Sequence, residues 1–204
     1  MPNQILEEYF SNYPNFDYNP DAAPTSEFNR MCDEFGWIRR GHSSAREPTP
    51  EERRLQKCRA EAHRLFKDAL TKQFNANFGT DYNSLESWQD LCRRIDVNPP
   101  PSKLKECRQI VMSTHVNLID LVHIGNVVTF PTVQALSDYT IEEEKFFPRD
   151  NIHAGDLLKH LLRHINRPSL DDNRPGNQGR RGRGRRGRGG RGQGSGRGRG
   201  RGTA

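Results

Sequence analysis

The last 29 residues of this chain, Gly176–Ala204, contain no apolar side chain larger than alanine and no acidic residue. Thirteen of the 18 glycines lie in this stretch. A segment with so little to bury cannot offset the conformational entropy that ordering would remove. We therefore predict that residues 167–204 form a disordered, Arg/Gly-rich tail, and that any folded domain lies before them.

The charge of the chain divides at almost the same point. The chain holds 32 Lys and Arg against 26 Asp and Glu, a formal net charge of +6. From residue 168 onward there are eleven arginines and two aspartates, so this part carries +9 and residues 1–167 carry −3. A polycationic tail on a mildly acidic body predicts an acidic polymer as partner, either nucleic acid or a membrane surface, bound by the tail.

The side chains of the tail favour nucleic acid over a membrane. Arginine binds phosphate through two parallel hydrogen bonds and stacks flat on bases, and the neighbouring glycines let the backbone approach closely. Stacking on unpaired bases favours RNA or single strands over a regular duplex. We predict RNA or single-stranded nucleic acid binding with little sequence preference and no cofactor, carried by Arg180, Arg181, Arg183, Arg185, Arg186, Arg188, Arg191, Arg197, Arg199 and Arg201.

The same stretch resembles the Arg/Gly-rich tails of RNA-binding and nucleolar proteins. The resemblance implies a location in the nucleus or nucleolus rather than the cytoplasm. It departs from the commonest form of such tails because no Phe or Tyr is interleaved, so stacking must come from arginine. It also implies an arginine methyltransferase as a partner, acting on the arginines that precede glycine: Arg181, Arg183, Arg186, Arg188, Arg191, Arg197, Arg199 and Arg201.

The start of the chain and its cysteines favour an intracellular protein. The opening residues "MPNQILEEYF" lack the basic region and apolar run of a secretory signal. No window approaches 18 consecutive apolar residues, so no membrane contact is expected. Cys32, Cys58, Cys92 and Cys107 are scattered in helix-like apolar patterns, which predicts small buried side chains in a reducing compartment.

Helical periodicity predicts an all-α fold for the body. We expect a single compact multi-helix domain over residues 25–166, preceded by an extended, aromatic lead-in over residues 1–24. The strongest helix is Pro50–Phe78, in which Thr49 and Glu52 form a capping box and the apolar residues share one face. That predicted face comprises Leu55, Cys58, Ala62, Leu65, Phe66, Ala69, Leu70, Phe74 and Phe78.

The sequence also indicates the secondary structure of three further segments. Ser84 is expected to cap a helix whose buried stripe includes Trp88. The last helix is expected to begin after Asp150 or Asn151. The stretch from His115 to Phe130 fits a helix at first, while its β-branched end, "NVVTF", fits a short extended piece.

The order of aromatic and apolar markers in the body is similar to a domain found in uncharacterised proteins of filamentous fungi. The similarity covers roughly residues 10–166. It implies a small helical fold and a fungal origin, and it supplies no activity and no catalytic residues. Its markers here are Gly36-Trp37, Phe78-Gly79, Trp88, Leu91-Cys92 and Asn117 to Asp120.

The body offers two weak sites for metal or covalent chemistry. His160 and His164 are spaced to share a helix face, with His153 upstream, but two imidazoles fall short of a zinc site and suit a helix C-terminus equally well. Cys92 stands beside two arginines, yet its place on the Trp88 stripe favours core packing. We predict no metal site.

No catalytic constellation emerges from the rest of the body. Its cluster of carboxylates, Ile141–Lys145, is expected to form a solvated face, because consecutive side chains point in different directions. None of the common catalytic or nucleotide-binding motifs occurs. The chain is therefore expected not to be an enzyme.

A contribution of the body to binding stays open. Arg39, Arg40 and Arg46 could add phosphate contacts, and Trp37 could stack on a base or serve as a core anchor. In the alternative interpretation the helical domain carries the function, as a protein-interaction or scaffold module, and the tail is an accessory.

Overall fold

The structure, a computed structural model, describes residues 3–39, 47–123, 125 and 127–162. The all-α prediction is confirmed for this part of the chain, while the predicted disordered tail and the last residues of the predicted domain lie outside it. Within it the chain forms α1 (Gln4–Ser11), α2 (Pro24–Glu34), α3 (Pro50–Phe78), α4 (Leu85–Arg94), α5 (Leu104–Ser113), β1 (His115–Val116), α6 (Leu118–Val122), β2 (Thr129–Phe130), α7 (Val133–Glu142) and α8 (Asp156–Leu161).

Helix α3 is the central element, and α1, α2, α4 and α6 pack against it. Its predicted capping box is present: the Glu52 amide donates to the Thr49 hydroxyl at 3.2 Å, and the Thr49 amide donates to the Glu52 carboxylate at 2.6 Å. Its apolar face is shorter than predicted. Burial begins at Ala62, whereas Cys58 is exposed and Leu65 is 40% exposed, because no element among the described residues covers them.

The N-terminal segment differs from the predicted extended lead-in over residues 1–24. Gln4–Ser11 form α1, because Leu6, Tyr9 and Phe10 share one helix face and bury it. The Tyr9 hydroxyl donates to the Ala62 carbonyl of α3 at 3.0 Å. The helical domain therefore begins with α1 rather than at residue 25.

Helices α4 and α5 pack against each other, and α4 also contacts α3. The predicted cap of α4 is confirmed, since the Ser87 amide donates to the Ser84 hydroxyl at 3.2 Å. Trp88 is fully buried, and its indole nitrogen donates to the Tyr82 carbonyl at 2.7 Å. Trp88 is thus a core anchor with its one polar atom satisfied.

The stretch from His115 to Phe130 contains both predicted features. Asn117 caps the short helix α6 by accepting a hydrogen bond from the Ile119 amide at 2.8 Å. The two ends of the stretch pair as antiparallel strands, with His115 opposite Phe130. Helix α7 packs against this small hairpin.

Helix α8 begins later than predicted. The Asn151 side chain accepts from the His153 amide at 2.9 Å, so it closes a turn instead of starting a helix. The helix starts only after Gly155, where the chain passes so close to Thr80 that an added Cβ would lie 2.6 Å from the Thr80 Cβ. The Leu157 amide then donates to the Thr80 carbonyl at 3.1 Å.

Candidate functional site

A cleft of about 520 Å³ lies between α2, the middle of α3 and residues 144–148. Phe28 of α2 and Phe66 of α3 stack in its wall with ring centroids 4.7 Å apart, and each is only 3% exposed. Phe146 also lines the cleft and is 45% exposed, so one aromatic ring is open to a ligand.

One side of the cleft is basic. Arg59, His63 and Lys67 follow each other at intervals of four residues on α3, so they form one row along the helix, here called the basic stripe. The Arg59 guanidinium donates to the neutral Asn29 side chain at 3.0 Å and lies 5.5 Å from the centre of the Phe28 ring. The stripe therefore places positive charge directly beside aromatic surface.

The protonation of His63 reflects this charge. Its partial desolvation in the cleft and the positive charges of Lys67, Arg59 and Arg39 lower the pKa of the imidazole. At neutral pH the ring is then uncharged, and it can donate or accept a hydrogen bond. The same positive field that disfavours a proton on His63 favours an anion in the cleft.

The opposite wall of the cleft is held by a nearly buried ion pair. The Lys145 ammonium lies 3.0 Å from the Asp120 carboxylate and also donates to the Tyr139 hydroxyl. Burial lowers the pKa of Lys145, but its bonds to Tyr139 and Asp120 outweigh this and raise it. The Asn117 side chain donates to the Lys145 carbonyl at 3.1 Å, so the chain that carries Phe146 is fixed at both side chain and backbone.

Glu144 closes the rim between this wall and the opposite side. It has a positive φ of 50° and accepts hydrogen bonds from Asn29 at 3.2 Å and from Arg39 at 3.3 Å. The three consecutive carboxylates of the segment 142–144 are exposed, as predicted, but the neighbouring Lys145 is not part of a solvated face.

A second hollow, of about 280 Å³, lies beside α4 and α6. Arg94 lines it and donates to the backbone carbonyls of Leu121 at 3.0 Å and Asp120 at 2.8 Å, and also to those of His123 and Gly125. Its guanidinium thus satisfies the C-terminal carbonyls of α6. We assign Arg94 a structural role.

Few of the residues that were predicted to contact nucleic acid lie in the part of the chain that the structure describes. All ten tail arginines, from Arg180 to Arg201, lie outside the described residues, as do Arg40 and Arg46. Arg39 lines the cleft, where it pairs with Glu144. Trp37 packs against Tyr13 and Phe35, with ring centroids 5.8 and 5.2 Å away, which fits an anchor at the edge of the core.

Among the described residues, the histidines and cysteines form neither a metal site nor a reactive thiol site. The His160 ring stacks on Tyr82 at 3.9 Å, and its Nδ1 lies 2.7 Å from the Asp156 carbonyl; His164 lies outside the described residues. In the part of the chain that the structure covers, no three His, Cys, Asp or Glu residues are grouped to hold a metal ion. Cys92 is fully buried, and burial together with Cys107 raises its pKa to about 12, which disfavours a thiolate.

Sequence reasoning missed the cleft. On α3, Arg59, His63 and Lys67 recur every four residues next to the apolar face that contains Phe66. That spacing was the available signal on α3. The contributions of α2 and of residues 144–148 come from distant parts of the chain and carry no comparable signal.

No protein-family model, curated protein or solved structure matches the chain. The similarity to a fungal helical domain and the predicted fungal origin therefore stay predictions. Across the described residues, no helix has the length and apolar character needed to cross a bilayer.

Proposed function

We propose that the protein binds RNA, or single-stranded nucleic acid, with little sequence preference through its Arg/Gly-rich tail. The observation that carries the proposal is the separation of charge, with +9 from residue 168 onward and −3 before it. Phosphate neutralisation by arginine supplies most of the sequence-independent affinity of such proteins, and base stacking by guanidinium favours unpaired strands.

The described surface supports the tail as the main binding segment. Many exposed basic side chains of the body are already paired with a carboxylate three positions away in the sequence, which leaves less positive charge for phosphate. Examples are Arg54 with Glu51, Arg64 with Glu61, Arg93 with Asp90 and Lys103 with Glu106.

The test is a titration of labelled single-stranded RNA with the full chain and with a variant in which the ten tail arginines become glutamine. The variant keeps the length and glycine content of the tail but loses ten charges. We expect its affinity to fall by about a hundredfold or more at low salt, and the slope of log K against log salt to become shallow. Equal affinity of the two proteins would reject the proposal.

Two extensions follow from the same residues. The arginines that precede glycine are proposed substrates of an arginine methyltransferase, and the nucleus or nucleolus is the proposed location. Mass spectrometry of the protein from its native cells tests the first, and imaging of the tagged full chain tests the second. The alternative, in which the helical body acts as a protein-interaction module, predicts that the glutamine variant retains the partners of the original.

A further inference from the structure

The basic stripe in the cleft differs from the other basic residues of α3. Arg54 and Arg64 pair with Glu51 and Glu61 on the same helix. Arg59 forms no ion pair among the described residues, and its side-chain partners there, Asn29 and the Cys32 thiol, are neutral. Lys67 also lines the cleft, and none of the ion pairs between described residues includes it. The stripe therefore carries positive charge that the body has not neutralised.

The acid in the cleft does not cancel this charge. Glu144 is the one carboxylate among the described lining residues, and it already accepts hydrogen bonds from Arg39 and Asn29. With Arg39 and Glu144 balancing each other, Arg59 and Lys67 leave the cleft with a net positive charge. An anion would be attracted there, and partial desolvation would strengthen the attraction.

The cleft also offers surface for a flat ring and its polar edge. Phe146 is partly open, and it faces the same space as Phe28 and Phe66. Thr25 is only 8% exposed and lines the cleft, and its hydroxyl oxygen is buried with no hydrogen-bond partner among the described residues. A buried hydroxyl without a partner is costly, and a ligand that donates to it or accepts from it would remove that cost.

The size of the cleft limits the ligand. Sites for small ligands usually enclose about 300 to 1,000 Å³, and the 520 Å³ here lies within that range. One base with its sugar and phosphate fits such a volume, whereas a duplex does not. A stacking ring, uncompensated cations and hydrogen-bonding groups in one cleft are the combination that single-stranded nucleic-acid sites use.

We propose that the cleft between α2, α3 and residues 144–148 binds one nucleotide, with its base against Phe146 and its phosphate on the basic stripe. The nucleotide is either free or one unit of an RNA strand. The assignment of RNA as the source of the nucleotide rests on the function proposed above. The capacity of the cleft to bind a nucleotide rests only on its own side chains. The body then selects an unpaired nucleotide, and the tail supplies affinity that is independent of sequence.

The test measures the affinity of the full chain for AMP, which serves as the probe. Binding is detected by ligand-detected NMR and by calorimetry. Arg59→Gln combined with Lys67→Gln removes two charges from the cleft, and we expect AMP affinity to fall at least tenfold. Arg54→Gln combined with Arg64→Gln removes the same charge from the same helix outside the cleft, and should change AMP affinity less than twofold. Phe146→Ala, at a partly exposed position, should weaken AMP and adenosine severalfold but leave the thermal midpoint nearly unchanged.

Other probes distinguish the source and class of the ligand. A short single-stranded RNA should compete with AMP for the wild-type cleft if the nucleotide comes from RNA, whereas AMP binding without such competition would indicate a free nucleotide. Tighter binding of phosphotyrosine than of AMP would overturn the proposal in favour of a peptide site. Equal AMP affinity of the cleft variant and its control would overturn it as well.

The two proposals fail separately. Loss of AMP binding only in the variant with ten tail glutamines would place the phosphate on the tail and reject the cleft. Loss of RNA binding only in the cleft variant would instead reject the tail as the main RNA-binding segment. Each outcome is read on a full-length chain.

Discussion

The Lys145 ammonium lies 3.0 Å from the Asp120 carboxylate, and the two side chains are only 13% and 9% exposed. The Tyr139 hydroxyl donates to the other carboxylate oxygen of Asp120 at 2.9 Å. The pair joins α6 to the segment after α7, although its members are 25 positions apart. Because the next residue is Phe146, this bond positions a wall of the cleft.

Lys145→Met is expected to destabilise the fold by about 3 kcal/mol, because it leaves the Asp120 charge nearly buried without its partner. Urea unfolding of the full chain measures the change. Lys103→Met is the matched control, since Lys103 pairs with Glu106 at an exposed site and should cost about 0.5 kcal/mol or less. Similar losses of unfolding free energy in both variants would show that the nearly buried pair of Lys145 with Asp120 stabilises the fold no more than an exposed pair.

Trp88→Ala is expected to cost about 3–5 kcal/mol, because it empties a fully buried site. Trp88→Phe should cost clearly less. It keeps most of the ring and removes the bond to the Tyr82 carbonyl, but Arg108 also donates to that carbonyl at 2.7 Å. Equilibrium unfolding would contradict this account if the two variants were equally unstable.

Gly155→Ala is expected to destabilise the protein by about 1–3 kcal/mol, because the new Cβ would overlap the Thr80 backbone and side chain. Trimming Thr80 to alanine should not rescue it, since the Thr80 Cα and Cβ are among the overlapping atoms. Gly125→Ala provides the control, since no atom of another described residue lies within 4 Å of its added Cβ. A melting temperature unchanged by Gly155→Ala would show that the approach of the two segments is loose.

Acid is expected to weaken the fold through His123. Burial lowers its pKa, Asp120 and Asp21 raise it, and Lys145 and Arg94 lower it further. Its Nε2 lies 3.1 Å from the Asp21 carbonyl, while Nδ1 is buried and has no partner in the part of the chain that the structure describes, so the folded protein favours the neutral ring.

The sign of the pH effect follows from that shift. The unfolded chain takes up a proton near the ordinary histidine pKa of about 6.5, before the folded protein does. The stabilisation is present above this value and is lost as the pH falls toward the folded-state pKa. Thermal midpoints between pH 7.5 and 5.5 should fall less for His123→Gln than for the original, and an identical fall would exclude His123 as the cause. His63, whose pKa is also lowered, leaves a residual effect in both proteins.

Replacing the eight arginines that precede glycine by lysine keeps the charge of the tail but removes the planar guanidinium. We expect the affinity for single-stranded RNA to fall severalfold, while the salt dependence changes little because the same phosphates are neutralised. Binding to heparin, a polyanion without bases, provides the control and should be nearly unaffected. Unchanged RNA affinity would show that net charge alone decides binding.

Local patterns predicted those parts of the fold that depend on a few neighbouring residues. The capping box at Thr49 and the Ser84 cap are examples, since their partners lie three residues away. Helix α1 was missed because prolines and turn residues soon follow it, and its stability comes from burial against α3. The pair between Asp120 and Lys145 could not be predicted, because only the folded chain brings together residues so far apart.

The shortened apolar face of α3 has a consequence for local opening. Its first three turns are mostly exposed and depend on the capping box, whereas from Ala62 onward one face of the helix is buried. Amide hydrogen exchange should therefore be fast at the start of the helix and slow toward its end. Arg59 lies at the transition, so one side of the cleft can fray while the core stays closed, and a bound ligand would slow exchange there first.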